Sequence, residues 1–191
     1  MRYGNKSVIS EIRDDEDMPF TENGERVDLL LNLLAIINRT TSMPLTELAI
    51  TSIASQVRRK MKSFRSYKKR EELLLDFLET FNPKDADFFA EQYNELNESE
   101  KKSWIDDAIN WGIVLHQPPI GEVEPVFYRI QKILNKYDWL KPDKVFVRKW
   151  GRVIPVLNDN WIGHMYILEH LRHMIVISYE NFVNCWDVLL G

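Results

Sequence analysis

Residues 44–82 read PLTELAITSIASQVRRKMKSFRSYKKREELLLDFLETFN, and the way this stretch divides decides the fold. No glycine or proline interrupts it after Pro44, so side-chain pattern alone must show where a helix stops. Ile50, Ile53, Val57, Met61 and Phe64 recur at intervals of 3, 4, 4 and 3, one apolar stripe of an amphipathic helix. A second stripe of Leu74, Leu78 and Phe81, with Leu75 and Phe77 alongside, carries the chain to Asn82-Pro83. One helix over the whole stretch would be about three times the mean globular length. The pattern therefore predicts two helices, the first opening at Pro44 and the pair joined near Ser63–Ser66.

Working outward, Val27, Leu30, Leu31, Leu34 and Ile37 predict an earlier helix over about 25–38. Asn82 reads as an N-cap with Pro83 at the first helical position, and Asn97-Glu-Ser-Glu100 has the spacing of a capping box. Trp104, Ile105, Ala108, Ile109 and Trp111 follow at helical spacing, with Gly112 as C-terminal cap. A rigid connection over 116–121 leads to an amphipathic helix ending near Tyr137. Residues 144–157 are β-branched around Trp150-Gly151 and predict a short hairpin, with Pro155 confined to an edge. Asp159 is expected to cap a last, very apolar helix through Trp161, Met165, Leu168, Leu171, Ile175 and beyond, the central one of the fold. The expected fold class is mainly α: a single-domain bundle of six to seven helices over residues 21–191, with a short β-hairpin near 144–157. Residues 1–20, with Glu11, Asp14, Asp15, Glu16 and Asp17, are expected to form a flexible acidic arm.

Composition bounds the rest. Hydrophobic residues make up 45% and charged residues 28%, values of an ordinary globular chain. The single Cys185 excludes an internal disulfide, and its apolar neighbours Phe182 and Trp186 suit an inert buried thiol. The N-terminus has no signal-peptide core and no apolar run has membrane-spanning length, so a cytoplasmic protein without a membrane partner is expected. The abundance of Asn, Lys and Ile suggests an AT-rich genome, and with it a phage, viral or low-GC source.

The charge distribution is the strongest lead to function. The chain holds 25 Lys and Arg against 29 Asp and Glu, a net of −4, and eight of those cations fall between Arg58 and Arg70 with no acid among them. The remainder is left with 17 basic residues against 29 acidic. If residues 57–70 are helical, Val57, Met61 and Phe64 face inward while Arg58, Lys62, Arg65 and Lys69 form one outward row, flanked by Arg59 and Arg70. Such a row could neutralise phosphates, with Tyr67 free to stack on an unpaired base, or it could meet an acidic protein surface. Thr46–Ala49 and Ser55–Arg59 have the order of a helix-turn-helix, without its turn glycine or a following wing.

Other chemistry is thin. His170 and His173 share a helix face at i, i+3 and are the weak metal candidates, without a third ligand in sight. No phosphate-cradling glycine loop, nucleophile elbow or dinucleotide fingerprint occurs, so neither catalytic residues nor a cofactor are expected. Asn110-Trp111-Gly112 and Trp150-Gly151-Arg152 each resemble part of the Asn-Trp-Gly-Arg signature of Bcl-2-like proteins, and neither completes it. The leading expectation is a non-enzymatic regulatory protein that sets its basic helix (58–70) against an acidic partner. A nucleic-acid-binding protein using the same helix is the alternative, and a metal-dependent enzyme around His170 and His173 the weaker one. The apolar C-terminus is a candidate surface for homo-oligomerisation.

Overall fold

The computed structural model of the 191-residue chain describes residues 8–32, 43–116 and 124–167. Two compact units are distinguishable, one of residues 49–141 and one that joins 1–48 to 142–191. Among the described residues there are five α-helices and one three-stranded sheet: α1 (Met43–Ser63), α2 (Tyr67–Phe81), α3 (Pro83–Glu95), α4 (Glu98–Asn110), α5 (Val126–Lys136), β1 (Phe20–Thr21), β2 (Val145–Lys149) and β3 (Arg152–Pro155). The mainly helical class stands, with five described helices in place of the expected six to seven.

The helical unit is built around α2, which packs against α3, α4 and α5. Its buried stripe of Leu74, Phe77, Leu78 and Phe81 meets Tyr93 from α3, Ile105 and Ile109 from α4, and Ile133 from α5 within one apolar core. Ile53, Val57 and Met61 are the buried stripe of α1. Each fully buried side chain of this kind contributes on the order of 2 kcal/mol. The predicted interruption falls where expected: α1 ends at Ser63 and α2 begins at Tyr67.

Polar groups fix the helices to one another. The Gln56 amide donates to the Lys141 carbonyl at 2.8 Å and accepts the Lys141 amide at 3.2 Å, a two-point clamp between α1 and the chain after α5. Arg129, almost wholly buried, donates from Nη1 to the Phe81 carbonyl at 3.0 Å, and its guanidinium stacks 4.9 Å from the Phe81 ring. A cation at the C-terminal end of α2 is favoured by the helix dipole. Asp76 accepts from the Tyr137 hydroxyl at 2.7 Å and pairs with Lys136, which also reaches the Thr80 hydroxyl. Burial pushes the Tyr137 phenol up and Asp76 adds to it, whereas for Asp76 the Lys136 and Tyr137 hydrogen bonds outweigh burial and lower its carboxyl.

The caps follow the sequence. Asn97 Oδ1 accepts from the amides of Ser99 and Glu100, and Glu100 reaches back to the Asn97 amide, completing the capping box. Pro83 opens α3 behind Asn82, which caps through its backbone and not its side chain. Gly112 follows α4 at φ +119, a conformation that strains any residue with a side chain.

In the other unit the sheet is antiparallel in the order β1-β2-β3, with Phe20 opposite Phe146 and Lys149 opposite Arg152. Trp150 and Gly151 form a two-residue turn with φ +51 and +68, the pair of positive values a type I′ hairpin requires. Pro155 lies on the outer strand, as expected. The same turn removes the Bcl-2-like resemblance at Trp150-Gly151-Arg152, which that family would need in an unbroken helix.

Two predicted helices need correction. Residues 25–32 are not helical: the turn at Gly24 (φ +82) folds the chain back, Arg26 bridges to Phe20, and the Val27 amide bonds the Pro19 carbonyl. Backbone pairing on both Arg26 and Val27 holds this stretch extended. Nor does a helix start at Asp159, because Asn160 exchanges both backbone hydrogen bonds with Asp143 in an antiparallel bridge. The rest of both expected helices (33–38 and 168–191) lies outside the described residues, as do Cys185 and the apolar C-terminus. In the expected acidic arm, Asp15–Asp17 make a single 3-10 turn, and Asp15 and Asp28 pair with Arg26.

Two outcomes test this account. Asn97→Ala should lower unfolding free energy by about 1 kcal/mol in urea titration, through loss of the α4 cap. Asp76→Asn should also destabilise by about 1 kcal/mol at neutral pH, leaving the Tyr137 hydroxyl a weaker acceptor and Lys136 unpaired. The Asp76 carboxyl holds its proton less tightly in the folded state than in the unfolded one. Its stabilisation is therefore complete above about pH 4 and fades as pH falls through the lower folded value. Acid titration of the variant should lack that part of the loss.

Candidate nucleic-acid interface

The eight cations of residues 58–70 are divided by the break between α1 and α2. The end of α1 is closed by its own sequence: the Ser63 hydroxyl bonds the Lys60 carbonyl at 2.7 Å and the Phe64 amide bonds the Met61 carbonyl at 3.1 Å. Arg70 then reaches back from the first turn of α2, donating from Nε to the Phe64 carbonyl at 2.9 Å, with Nη1 3.9 Å from Asp106 of α4. The single outward row of Arg58, Lys62, Arg65 and Lys69 does not form, because residues 64–66 leave the helical path between its halves.

Half of the block faces the protein. Arg58 is half-buried, and its Nη1 lies 3.9 Å from where a Cβ on Gly112 would stand, at the C-terminal end of α4. Arg59 is half-buried and engaged. The Lys60 ammonium lies over two rings, 5.9 Å from the Phe64 centroid and 5.7 Å from that of Trp139. Arg70 holds the turn. Tyr67 is no free stacking platform either: its hydroxyl lies 3.4 Å from that of buried Tyr93, whose ring packs on Trp104 at 5.1 Å. Burial pushes both phenols up, and Tyr93 is raised further by Tyr67 and Glu71.

What remains exposed is a compact corner of Lys62, Arg65, Lys68 and Lys69. Lys62 ends α1, where the helix dipole favours a cation, but Lys68 and Lys69 stand in the first turn of α2, where it does not. No acidic residue offsets them in that turn. The positive end of α2 and its two lysines therefore reinforce one another, and the corner suits an anion better than its charge count alone suggests. Lys68 does not fall on the row that an unbroken 57–70 helix would present; it follows only when the break near Ser63–Ser66 is carried into the reading of the charges.

The metal candidates His170 and His173 lie outside the described residues. Among the described residues no three His, Cys, Asp or Glu are placed to hold a metal ion, and no helix is long and apolar enough to cross a membrane.

The sequence is similar to large transcription subunits. Residues 1–112 match the family model for RNA polymerase Rpb2, domain 6. The DNA-directed RNA polymerase subunit beta of Granulibacter bethesdensis is 33% identical over 184 residues, covering 91% of this chain and 12% of the relative. That of Aquifex aeolicus is 26% identical over 180 residues with the same coverage, and that of Streptomyces coelicolor 46% identical over a 55-residue stretch, 29% of this chain and 5% of the relative. The chain thus spans about an eighth of the length of the relatives that match along most of it. These matches overturn the expectation of a phage or viral regulatory protein directed at an acidic partner, and with it the reading of a separate metal-dependent enzyme. A charge run carries no family information by itself, so its sequence pattern could not have told these apart. More than half of the chain follows the model, and the chain belongs to the RNA polymerase Rpb2 domain 6 family.

Proposed function

We propose that this chain is a segment of a beta-type subunit of a DNA-directed RNA polymerase, and that the corner of Lys62, Arg65, Lys68 and Lys69 faces the nucleic acid. The observation that carries the reading is that the family match over residues 1–112 contains this corner whole. The relatives are named for action on DNA, and a polyanion is the partner that four exposed cations and a positive helix end would attract. Four exposed cations suit contact with phosphate, which carries no base information. The net negative charge of the rest of the chain disfavours contact away from its basic surfaces.

Neighbouring polymerase segments are the second class of partner on this reading. Phe88, Trp111, Val114 and Phe127 of the helical unit are each more than half exposed, and large apolar side chains in that state are typical of surfaces that meet other protein.

The nucleic-acid contact is tested by titrating duplex DNA and an RNA–DNA hybrid against salt. Four neutralised phosphates give a slope of log affinity on log salt of about −3 to −4, hence roughly a hundredfold loss between 50 and 200 mM. Changing Lys62, Arg65, Lys68 and Lys69 together to Glu should abolish the binding, whereas Arg58→Gln should leave the slope unchanged. A flat salt response, or full affinity in the fourfold variant, would sink the assignment.

A further inference from the structure

The β2–β3 hairpin ends in Lys149-Trp150-Gly151-Arg152, an exposed tip that sets one large ring between two cations. Trp150 is 89% exposed and stands at φ +51. That backbone region suits Gly, Asn or Asp, and a bulky ring held there in water is an outlier with no packing to justify it. Lys149 and Arg152 are opposite each other across the strands, so two like charges share one face beside the ring. Like charges directly opposed weaken a strand pair. Both are exposed, and neither has an acidic partner among the described residues. Arg148 adds a third cation one residue back, its guanidinium 4.9 Å from the Phe20 ring on the sheet's other face. Two features that each oppose hairpin stability, the left-handed Trp150 and the opposed cations, therefore meet at one tip, and strain concentrated in this way is a mark of a working surface.

We propose that this tip is a second nucleic-acid contact, distinct from the α1–α2 corner, in which the Trp150 ring stacks on an unpaired base while Lys149 and Arg152 hold the flanking phosphates. The proposal rests on the polymerase reading above. A flat ring between two cations is the arrangement by which single strands are gripped without regard to sequence, the stack serving any base and the charges any phosphate. The type I′ turn supplies what a loop would not: a fixed direction for the ring, set by a two-residue connection anchored through β2 to Phe146 and Phe20, which stack at 5.9 Å. The apolar residues of β3 and beyond, Val153, Ile154 and Leu157, lie behind the tip and not on it, so the tip itself offers charge and one ring rather than a protein-binding patch.

The test uses the 191-residue chain and two labelled probes, a short oligothymidylate and a blunt duplex, followed by fluorescence anisotropy. Trp150→Asn places Asn-Gly, the favoured type I′ pair, at the turn, so the hairpin should be as stable as before or more so. Its affinity for oligothymidylate should nevertheless fall about tenfold, the effect of losing one stacked base, while duplex affinity stays within about twofold. Trp150→Phe should restore most of the single-strand affinity. Unchanged oligothymidylate binding in Trp150→Asn overturns the proposal, as does equal loss on both probes or failure of Phe to rescue. If the fourfold corner variant loses duplex binding while Trp150→Asn behaves as wild type, the tip assignment falls and the polymerase reading stands. If the wild-type chain binds neither probe, both fall.

Discussion

The three residues between α1 and α2 are the constraint on which the helical unit depends. Phe64 to Ser66 leave the helical path as the Lys60 and Met61 carbonyls take the Ser63 hydroxyl and the Phe64 amide, and the Phe64 carbonyl takes the Arg70 guanidinium. Without that closure the Gly- and Pro-free stretch would continue as one rod, and Leu74, Phe77, Leu78 and Phe81 could not turn onto Tyr93, Ile105 and Ile133. Arg70 is what makes the turn a tertiary feature as well as a local one, since the same side chain approaches Asp106 on α4. A guanidinium suits this use because its fork can serve a carbonyl and a carboxylate from one plane.

Elements whose signals are local were legible in the sequence. The capping box at Asn97–Glu100, Pro83 behind Asn82, Gly112 at the end of α4 and the Trp150-Gly151 hairpin each depend on residues within a few positions of one another, and each stands where the pattern put it. The helices expected from 25 and from Asp159 failed for the opposite reason. Val27, Leu30 and Leu31 have helical spacing, but the chain at Arg26 and Val27 is held by Phe20 and Pro19, and Asn160 is claimed by Asp143. Backbone pairing leaves no mark on the periodicity of the segment it captures, so a correct apolar pattern can be read in the wrong backbone conformation.

The candidate interface was half legible. Charge placed it between Arg58 and Arg70, and the structure keeps Lys62 and Arg65 exposed there beside Lys68 and Lys69. What the pattern could not show is how a cation is spent inside its own fold. Lys60 lies over Phe64 and Trp139, Arg58 rests at the end of α4, and Arg70 closes a turn, all through partners that are near in space and some that are far in sequence. A basic residue on an amphipathic helix can serve structure through its stem and rings as readily as it serves a ligand. Of the eight cations four stay exposed, and the break between the helices decides which.

The two basic surfaces differ in a way that fits one kind of task. The corner presents charge alone, reinforced by the positive end of α2, and phosphate contact of that sort carries no base information. The hairpin tip adds a ring, yet stacking is nearly as indifferent to sequence as charge is. Neither surface places the amide or carboxylate side chains that discriminate base edges at its centre. A regulator that selects a site would be poorly served by such a combination. On the proposed reading, contacts of this kind hold every strand alike, whatever its bases.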